Sequence, residues 1–435
     1  MRLEKRLAEN IFSLAVVQAL TYAAPFFTVP YLVRVLQPTN YGLLSFAQAI
    51  VLYCDFVTDY GFAFSATRAI VLHRHNPEDV SRIFWSTIFS KTVLMIGTGL
   101  ALSLLVAFIP RLHQTPAVYA VCFLSVFGTT AFPVWLFQGL EQMKASAIAL
   151  GAARFLTLPL LFAFVREPSH YVRAAAIQGS VELLAAVFLA PVIWRRLKIR
   201  WHRPSIAEVA ESLRIAWPLF LSGAALFLCT SSTAVILGFV ARREQVGYYT
   251  AAEKLIKACI AAFNPLGQAL YPHIAAARTG SCLFALRLIR NSFWVTGGLA
   301  FAASIATFAL ARPVCGLVLG ASFAPSSQLL RWMSPLPFLF GLMSVLGIQT
   351  MVVFELDSVM SRIMMAGACA GIPLTILLSR YLGPRGAAMA SVIEAGGMVA
   401  AMAVALRVRG FPVWQRIASP GAATFAPGSQ AWSGD

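Results

Sequence analysis

Charged residues are scarce in this chain of 435 residues. Aspartate, glutamate, lysine and arginine together make up 12% of the sequence, whereas a soluble globular protein contains about 25%. Hydrophobic residues make up 59%, and the mean hydropathy is +0.75. This composition excludes the soluble globular class and predicts an all-α integral membrane protein that crosses the bilayer many times.

Motifs of several catalytic and metal-binding classes are missing from the sequence. It has no GxxxxGK[ST] loop for ATP phosphates, no HExxH motif and no nucleophile elbow. Its seven cysteines include no CxxC spacing, which argues against a disulfide framework or a zinc site. We therefore expect no catalytic residue, no metal site and no cofactor. Uphill transport would depend on an ion gradient of H⁺ or Na⁺, on the membrane potential or on consumption of the product.

Twelve apolar stretches are long enough to cross a bilayer, which takes about 20 helical residues. The first stretch follows a basic start, but it is too long for a signal peptide and lacks a small-residue cleavage site. The sequence therefore predicts about twelve transmembrane helices. The predicted spans cover residues 11–32, 43–64, 85–109, 118–139, 148–165, 174–194, 215–238, 248–271, 291–311, 328–354, 360–379 and 386–406.

The formal net charge of +17 is distributed as in a membrane protein rather than a nucleic-acid-binding protein. With the N-terminus inside, 22 Lys and Arg residues lie in the N-terminal arm, the even-numbered loops with their helix ends, and the tail. The opposite side carries 10 of them. This asymmetry follows the positive-inside rule. It predicts that both termini are cytoplasmic and that nucleic acid is not a partner.

The longest polar break divides the predicted spans into six and six, and the two halves resemble each other. Residues 35–48 and 240–253 match at a shift of 205, which places Gly42 on Gly247. Six helices in each half predict a parallel repeat, and transporters built this way hold substrate between their halves. The predicted organisation is an N-terminal six-helix lobe at 1–194, a basic cytoplasmic linker at 195–214, a C-terminal six-helix lobe at 215–406 and a cytoplasmic, disordered tail at 407–435.

Two carboxylates lie within the second predicted span, 43–64. A carboxylate at bilayer depth costs roughly 2.5–3.5 kcal/mol by insertion scales. Asp55 and Asp59 are four residues apart, so they share one helix face, and Gln48 lies on the same side. We expect this face to meet protein or water rather than lipid.

The eighth predicted span, 248–271, is the repeat counterpart of the second. Glu253 and Lys257 are spaced to form an i,i+4 ion pair. Lys254 is then left without an obvious local partner, and Asp59 or Asp55 across the cleft competes for these lysines. The polar residues of this span that share one helix face are Glu253, Lys257, Asn264 and Gln268.

Four further polar residues lie within or beside predicted spans. Gln18 belongs to a polar stripe in the first span, and Arg34 follows that span near the outer face. Arg154 lies in the fifth span and Glu182 in the sixth. For Glu182, a structural role in the bundle and a role in a cavity are both open.

Several short stretches resemble Wzx-type polysaccharide flippases. They are Pro30–Leu36, Tyr41-Gly42, Asp59–Phe62, Ser65–Arg68, Trp135–Glu141, Tyr248–Leu255 and Tyr271-Pro272. The stretches are spread over about 1–355, and their spacing agrees throughout. Members of that family usually have glycine before the proline of the first loop, where this chain has Gln37-Pro38. Asp55 is a second departure, since the family pattern has an apolar or aromatic residue there.

This resemblance implies a fold of the MATE-like exporter superfamily, with two six-helix lobes in the bacterial inner membrane. It also implies a substrate, an undecaprenyl-pyrophosphate-linked O-antigen or capsule repeat unit that moves from the cytoplasmic to the periplasmic leaflet. Implied partners besides membrane lipids are a polysaccharide polymerase and a chain-length regulator.

The chemistry of the substrate suggests roles for the polar residues. Lysine and arginine would neutralise the pyrophosphate, carboxylates would act as counter-ions or as H⁺ or Na⁺ sites, and amides would meet the sugars. The cationic candidates are Lys254, Lys257, Arg34 and Arg154. The ion-coupling or counter-ion candidates are Asp59, Asp55, Glu253 and Glu182. The sugar-facing candidates are Gln18, Gln48, Asn264 and Gln268.

Three other functions remain open from the sequence. An ion-coupled multidrug or metabolite antiporter of the same superfamily is the principal alternative, although a carrier of cationic drugs would favour an acidic cavity without lysines. A lipid II flippase usually carries more than twelve helices. A membrane polysaccharide polymerase would need a large periplasmic loop, and no outer loop here reaches 20 residues.

Overall fold

The computed structural model describes the backbone of residues 2–280 and 282–411. Side chains are described from residue 27 onward, apart from 225, 226, 229, 264, 265, 268, 269, 279 and 282. Within these residues the protein is helical throughout and contains no β-strand. The fold class predicted from composition is therefore confirmed.

Ten helices make up the N-terminal half. They are α1 (Arg2–Asp59), α2 (Phe62–His73), α3 (Pro77–Phe108), α4 (Pro110–His113), α5 (Pro116–Cys122), α6 (Leu124–Ala131), α7 (Val134–Gly139), α8 (Met143–Phe164), α9 (Tyr171–Gly179) and α10 (Val181–Pro191). A 3₁₀ turn at Pro168–His170 precedes α9, and a π-helical turn at Val192–Arg196 follows α10.

Nine helices make up the C-terminal half. They are α11 (Ile206–Val240), α12 (Arg243–Ala261), α13 (Asn264–Gly280), α14 (Cys282–Ala309), α15 (Ala311–Val314), α16 (Ser326–Met333), α17 (Leu336–Met343), α18 (Asp357–Leu382) and α19 (Pro384–Val408). Short π-helical segments occur at Cys315–Leu319 and Ser344–Val352, and a 3₁₀ turn at Ala321–Phe323.

All twelve predicted spans fall mainly on helical backbone, and short breaks interrupt some of them, such as the one at residues 132–133. In the described part of the chain, nine helical segments are long and apolar enough to cross a membrane. These nine correspond to every predicted span except the first, the seventh and the eighth. The eighth span is divided between α12 and α13, and it carries the charged residues Glu253, Lys254 and Lys257.

The first two predicted spans are joined by a kink rather than a long loop. Gln37 has non-helical backbone angles, φ 61° and ψ 164°, in the middle of α1. This region is essentially reserved for glycine because a Cβ atom there meets the neighbouring backbone. The glycine usual in the family at this position is thus explained by the backbone, and the departure at Gln37 carries strain.

Two glycines bring α1 and α12 into backbone contact. A Cβ atom added to Gly42 would lie 1.9 Å from the carbonyl oxygen of Arg243, and one added to Gly247 would lie 2.2 Å from the carbonyl oxygen of Pro38. Gly42 and Gly247 are the pair matched in the sequence, and Pro38 and Arg243 have the same separation. The contact is reciprocal, as expected when two related segments meet across a twofold axis.

Buried aromatic side chains surround this contact between α1 and α12. Tyr41, Tyr249 and Phe323 are almost fully buried around it, and the rings of Tyr41 and Phe323 pack edge to face with centroids 5.9 Å apart. Large hydrophobic side chains on the outside of α3 remain exposed, among them Leu104 and Phe108. An exposed apolar surface of this kind suits contact with lipid.

Candidate functional site

A group of charged side chains lies inside the N-terminal half, around Thr129. It comprises Asp55 and Asp59 from α1, Lys91 from α3, Thr129 from α6 and Glu182 from α10, and we call it the Thr129 cluster. Four helices that are far apart in sequence contribute to it, so only the packed bundle brings these residues together.

The hydroxyl of Thr129 lies between two carboxylates. Its oxygen is 3.1 Å from Oδ1 of Asp55 and 2.8 Å from Oε2 of Glu182. Ser125 donates a further hydrogen bond of 2.9 Å to the other oxygen of Asp55. The predicted helix face of Asp55 therefore contacts protein, and Glu182 belongs to the same polar group.

Lys91 connects the second carboxylate of α1 to this group. Its ammonium lies 3.1 Å from Oδ1 of Asp59 and donates a hydrogen bond of 2.9 Å to the carbonyl oxygen of Thr129. The Lys91 side chain is 2% exposed and that of Asp59 is 38% exposed. The sequence suggested that the acids of the second span balance the lysines of the eighth span. The structure instead pairs Asp59 with Lys91.

The charges of the Thr129 cluster do not cancel. The three carboxylates and one ammonium of the cluster sum to a charge of −2 when all of them are ionised. The Thr129 hydroxyl has a single hydrogen to donate, although both Asp55 and Glu182 lie within hydrogen-bond distance. Protonation of one of these carboxyls would add a second donor and satisfy both contacts. A bound cation would also reduce the charge. The arrangement is thus able to take up a proton or a small monovalent cation.

Close helix packing positions Glu182. A Cβ atom added to Gly128 in α6 would lie 2.8 Å from the Cβ atom of Glu182 in α10. Because only glycine leaves this space, α6 and α10 approach closely enough for Glu182 to reach the hydroxyl of the adjacent Thr129. A small residue next to a polar one in an apolar helix is the local feature that builds this part of the site.

The acidic and basic residues of the eighth span are arranged partly as predicted. Glu253 and Lys257 form the expected i,i+4 ion pair, with an N–O distance of 2.9 Å. Lys257 is 59% exposed in its side chain, so this pair lies at a surface of α12. Lys254 is half-buried, and its ammonium lies 5.0 Å from the centre of the Tyr41 ring. That cation–π contact is the local partner that the sequence did not identify.

The two predicted arginines lie in different helices, Arg34 in α1 and Arg154 in α8. Arg34 is exposed and donates to the carbonyl oxygen of Leu317 near the end of a π-helical segment, so it links the two halves of the chain. Arg154 lies half-buried in α8.

Among the four sugar-facing candidates, only Gln48 has a described side chain. It donates a hydrogen bond of 2.6 Å to the side-chain oxygen of Gln178 in α9. The side chains of Gln18, Asn264 and Gln268 lie outside the described residues.

Aromatic side chains line the contact between α1 and α11. Phe56 stacks on Phe227 with ring centres 4.3 Å apart, and Tyr60 stacks on Phe220 at 4.7 Å. Flat apolar faces of this kind suit sugar rings. Tyr249, by contrast, is almost fully buried and is therefore part of the core.

Sequence reasoning missed Lys91, Thr129 and Ser125. Lys91 lies in the third predicted span, six residues from its start, where a lysine is typical of a helix end. A lysine among apolar residues was the available signal. Serine and threonine are common in membrane helices, so nothing distinguished Ser125 and Thr129 before the helices were packed.

Solved transporters share this fold. A multidrug resistance transporter of the MATE family in an inward-facing conformation matches 90% of this chain and 96% of that chain, with a TM-score of 0.67 and 12% sequence identity. The lipid II flippase MurJ in an inward closed conformation matches 91% of this chain and 87% of that chain, with a TM-score of 0.69 and 14% identity. The fold therefore places this protein in the MATE-like exporter fold class.

Sequence comparison identifies the family more closely. The model of the family described as "Polysaccharide biosynthesis protein" matches residues 7–278. A protein of Escherichia coli (strain K12) named "Putative O-antigen transporter" is 31% identical over 383 residues, which is 88% of this chain and 92% of that protein. A protein of the same name from Shigella dysenteriae is 27% identical over 392 residues, which is 87% of this chain and 94% of that protein.

The chain belongs to the polysaccharide biosynthesis protein family. The resemblance seen in its short motifs is confirmed, and the protein is a multi-pass bacterial membrane protein.

Proposed function

We propose that this protein is a flippase of the bacterial inner membrane. It moves undecaprenyl-pyrophosphate-linked oligosaccharide repeat units, of O-antigen, capsule or exopolysaccharide, from the cytoplasmic to the periplasmic leaflet by alternating access. The observation that carries this proposal is the 31% identity over 88% of the chain to the protein of Escherichia coli (strain K12) with an O-antigen transporter name. The protein performs no chemistry on its substrate.

Transport of this kind needs cations along the path, because a pyrophosphate cannot cross hydrocarbon with its charge unbalanced. Lys254 and Lys257 on α12 are the basic residues of our binding proposal, with Arg34 and Arg154 as further cationic contacts. Glu253 pairs with Lys257 at 2.9 Å. An arriving pyrophosphate would replace that carboxylate as the partner of Lys257.

The Thr129 cluster supports ion coupling. Its excess of carboxylates over ammonium groups provides a place for H⁺ or Na⁺ on the N-terminal half, whereas the basic residues of α12 belong to the C-terminal half. Binding of the ion would change the charge of one half independently of the substrate. This charge change supplies the differential interaction that a coupled conformational change requires.

The organisation predicted from the sequence completes the proposal. Lobes at 1–194 and 215–406 move against each other, the basic linker at 195–214 and the tail at 407–435 are cytoplasmic, and substrate binds between the lobes. The reciprocal contact of Gly42 and Gly247 supports a twofold relation between them. A polysaccharide polymerase and a chain-length regulator are the proposed protein partners.

Reconstitution tests the function. Purified protein in vesicles should move a fluorescent polyprenyl-pyrophosphate-linked sugar between leaflets, measured as the labelled fraction accessible to an impermeant reagent. A labelled polyprenyl phosphate without sugar is the matched control substrate. Extrusion of cationic dyes in place of lipid movement would identify a multidrug antiporter, and movement of lipid II alone would identify a lipid II flippase.

A further inference from the structure

Two arginines meet where apolar helices of the two halves end. Arg111 lies in α4, three residues after α3 ends at Phe108. Arg243 begins α12, three residues after α11 ends at Val240. Because a long apolar helix leaves the hydrocarbon near its end, both guanidinium groups lie at the level of the lipid headgroups.

Neither guanidinium is paired with an acid among the side chains that the structure describes. Arg111 donates to the carbonyl oxygens of Phe239 (2.9 Å) and Ala241 at the end of α11, and Arg243 donates to the side-chain oxygen of Gln114 at 2.8 Å. Among the described side chains, no carboxylate lies within ion-pair distance of either residue. Burial and the neighbouring Arg243 guanidinium lower the pKa of Arg111. Two half-buried cations therefore lie side by side without a carboxylate partner in the described part of the chain.

A recess between the arginines has a further unused polar group. Gly42, Gly238 and Tyr119 line it together with Arg111 and Arg243. Tyr119 is 1% exposed, and its hydroxyl has no hydrogen-bond partner of normal geometry in the described part of the chain. The recess has a volume of only about 10 Å³, enough for one water molecule. A phosphate would therefore contact the two half-buried guanidinium groups at the edge of the recess, where both offer donors to its oxygens.

An apolar cavity of about 360 Å³ adjoins this recess. Its lining comes from α1, α3 and α11, with Ile109 and Leu112 from the segment that follows α3. Leu112 follows Arg111 in the sequence and Phe239 follows Gly238, so the cavity lies next to the recess. Two of its lining residues, Leu105 and Phe239, are 46% and 41% exposed, so the cavity borders the bilayer. The volume lies near the lower end of the range for small-ligand sites, roughly 300–1,000 Å³, and suits one hydrocarbon chain.

We propose that the recess beside Arg111 and Arg243 and the adjoining apolar cavity together form a binding site for an anionic phospholipid. Its phosphate binds between Arg111 and Arg243, and one acyl chain fills the cavity between α1, α3 and α11. A cationic recess beside an apolar cavity selects a ligand that joins a phosphate to a hydrocarbon chain, which a soluble anion does not. Since α3 and α11 come from different halves, the lipid stabilises the contact between them. This inference does not depend on the transported substrate.

Lipid retention measures the site directly. Protein purified from anionic membranes and analysed by native mass spectrometry should retain phosphatidylglycerol in preference to phosphatidylcholine. Each arginine near an anionic headgroup contributes enough to change affinity about fivefold. Arg111→Gln and Arg243→Gln should therefore each lower retention about fivefold, and the double variant about 25-fold. Arg385→Gln is the matched control, because Arg385 donates to the side-chain oxygen of Gln328 at 2.7 Å just as Arg243 does to Gln114.

A cavity-filling variant tests the apolar part without changing charge. Ala101 lines the cavity, so Ala101→Phe should lower retention of phosphatidylglycerol while thermal stability without added lipid stays at the wild-type level. Equal retention by wild type and the double arginine variant would overturn the proposal. Stabilisation by inorganic phosphate alone, or retention of polyprenyl phosphate in place of phospholipid, would also overturn it. These measurements involve no transport, so their failure is separate from failure of the flippase assay.

Discussion

At the scale of single residues, the backbone at Gln37 is the clearest case of strain. A non-glycine residue with φ near +60° and extended ψ costs roughly 1–3 kcal/mol. Gln37 offsets part of this cost with a hydrogen bond of 2.8 Å from its amide to the carbonyl oxygen of Arg34.

Replacing Gln37 separates these two effects. Gln37→Ala loses the amide but keeps the Cβ atom, whereas Gln37→Gly loses both. We expect the glycine variant to be more stable than the alanine variant by about 1–2 kcal/mol, measured as the difference in thermal unfolding in detergent. Equal stability of the two variants would show that the backbone at this kink is not strained.

Lys91 is the most deeply buried charge whose contacts are described. Removing one partner of a buried ion pair costs roughly 3–5 kcal/mol, and the partial exposure of Asp59 places the expected loss for Lys91→Met at the lower end. The double variant Lys91→Met with Asp59→Asn should recover part of this loss. Lys144→Met, at an exposed lysine, serves as the control and should change stability by less than about 0.5 kcal/mol. If the double variant is as unstable as the sum of the single variants, Lys91 and Asp59 are not coupled.

Replacing Thr129 tests whether its hydroxyl group takes part in ion coupling. Thr129→Val keeps the shape but removes the hydroxyl between Asp55 and Glu182, and an unsatisfied buried polar group costs about 1–3 kcal/mol. We expect the lipid movement driven by an ion gradient to fall about tenfold. The stimulation by that gradient should also be lost. Thr130→Val is the control, because the Thr130 hydroxyl bonds within its own helix to Val126. Unchanged gradient dependence in Thr129→Val would remove the cluster from the coupling mechanism.

At the scale of helices, the crossing of α1 and α12 depends on glycine. The atoms nearest to an added Cβ belong to the backbone, so no side-chain adjustment makes room for it. Gly42→Ala and Gly247→Ala should each destabilise the protein by about 3 kcal/mol, the upper end of the usual cost of overpacking.

Gly97 provides the matched control for this prediction. It lies in α3 with open space where a Cβ atom would be, and alanine is favoured over glycine in a helix by roughly 0.5–1 kcal/mol. Gly97→Ala should therefore be neutral or slightly stabilising in the same thermal unfolding assay. Similar effects at Gly42 and Gly97 would mean that the crossing tolerates wider separation.

At the scale of the whole molecule, replacing the basic residues of α12 tests whether they bind the transported substrate. Lys254→Ala with Lys257→Ala should lower surface polysaccharide about tenfold or more in a strain that lacks the native protein, since charge-assisted hydrogen bonds contribute about 1.5–3 kcal/mol each. Glu253→Gln breaks the same ion pair but keeps both lysines, and it should leave more transport than the double lysine variant. Wild-type polysaccharide levels in the double variant would refute the cationic site.

The amino-acid sequence by itself determined the class, the family and the positions of nine of the twelve predicted spans. Hydropathy identifies the spans because each helix that crosses the lipid needs about 20 consecutive apolar residues. This requirement concerns one continuous stretch of sequence and does not depend on how the helices pack. The i,i+4 pair of Glu253 and Lys257 was also predictable, since helical spacing alone brings the two side chains together. The match of Gly42 with Gly247 in the sequence also indicated the repeat, without information on their contact.

Only the tertiary structure decided which polar residues meet. Asp59 pairs with Lys91, Gln48 with Gln178, and Thr129 joins Asp55 to Glu182, each across helices separated by many residues. The partner of a charge within an apolar helix depends on helix rotation and on the order of packing, and neither is encoded in local periodicity. For the same reason, the sequence does not predict the recess of Arg111 and Arg243, because it forms only where the ends of α3 and α11 pack side by side.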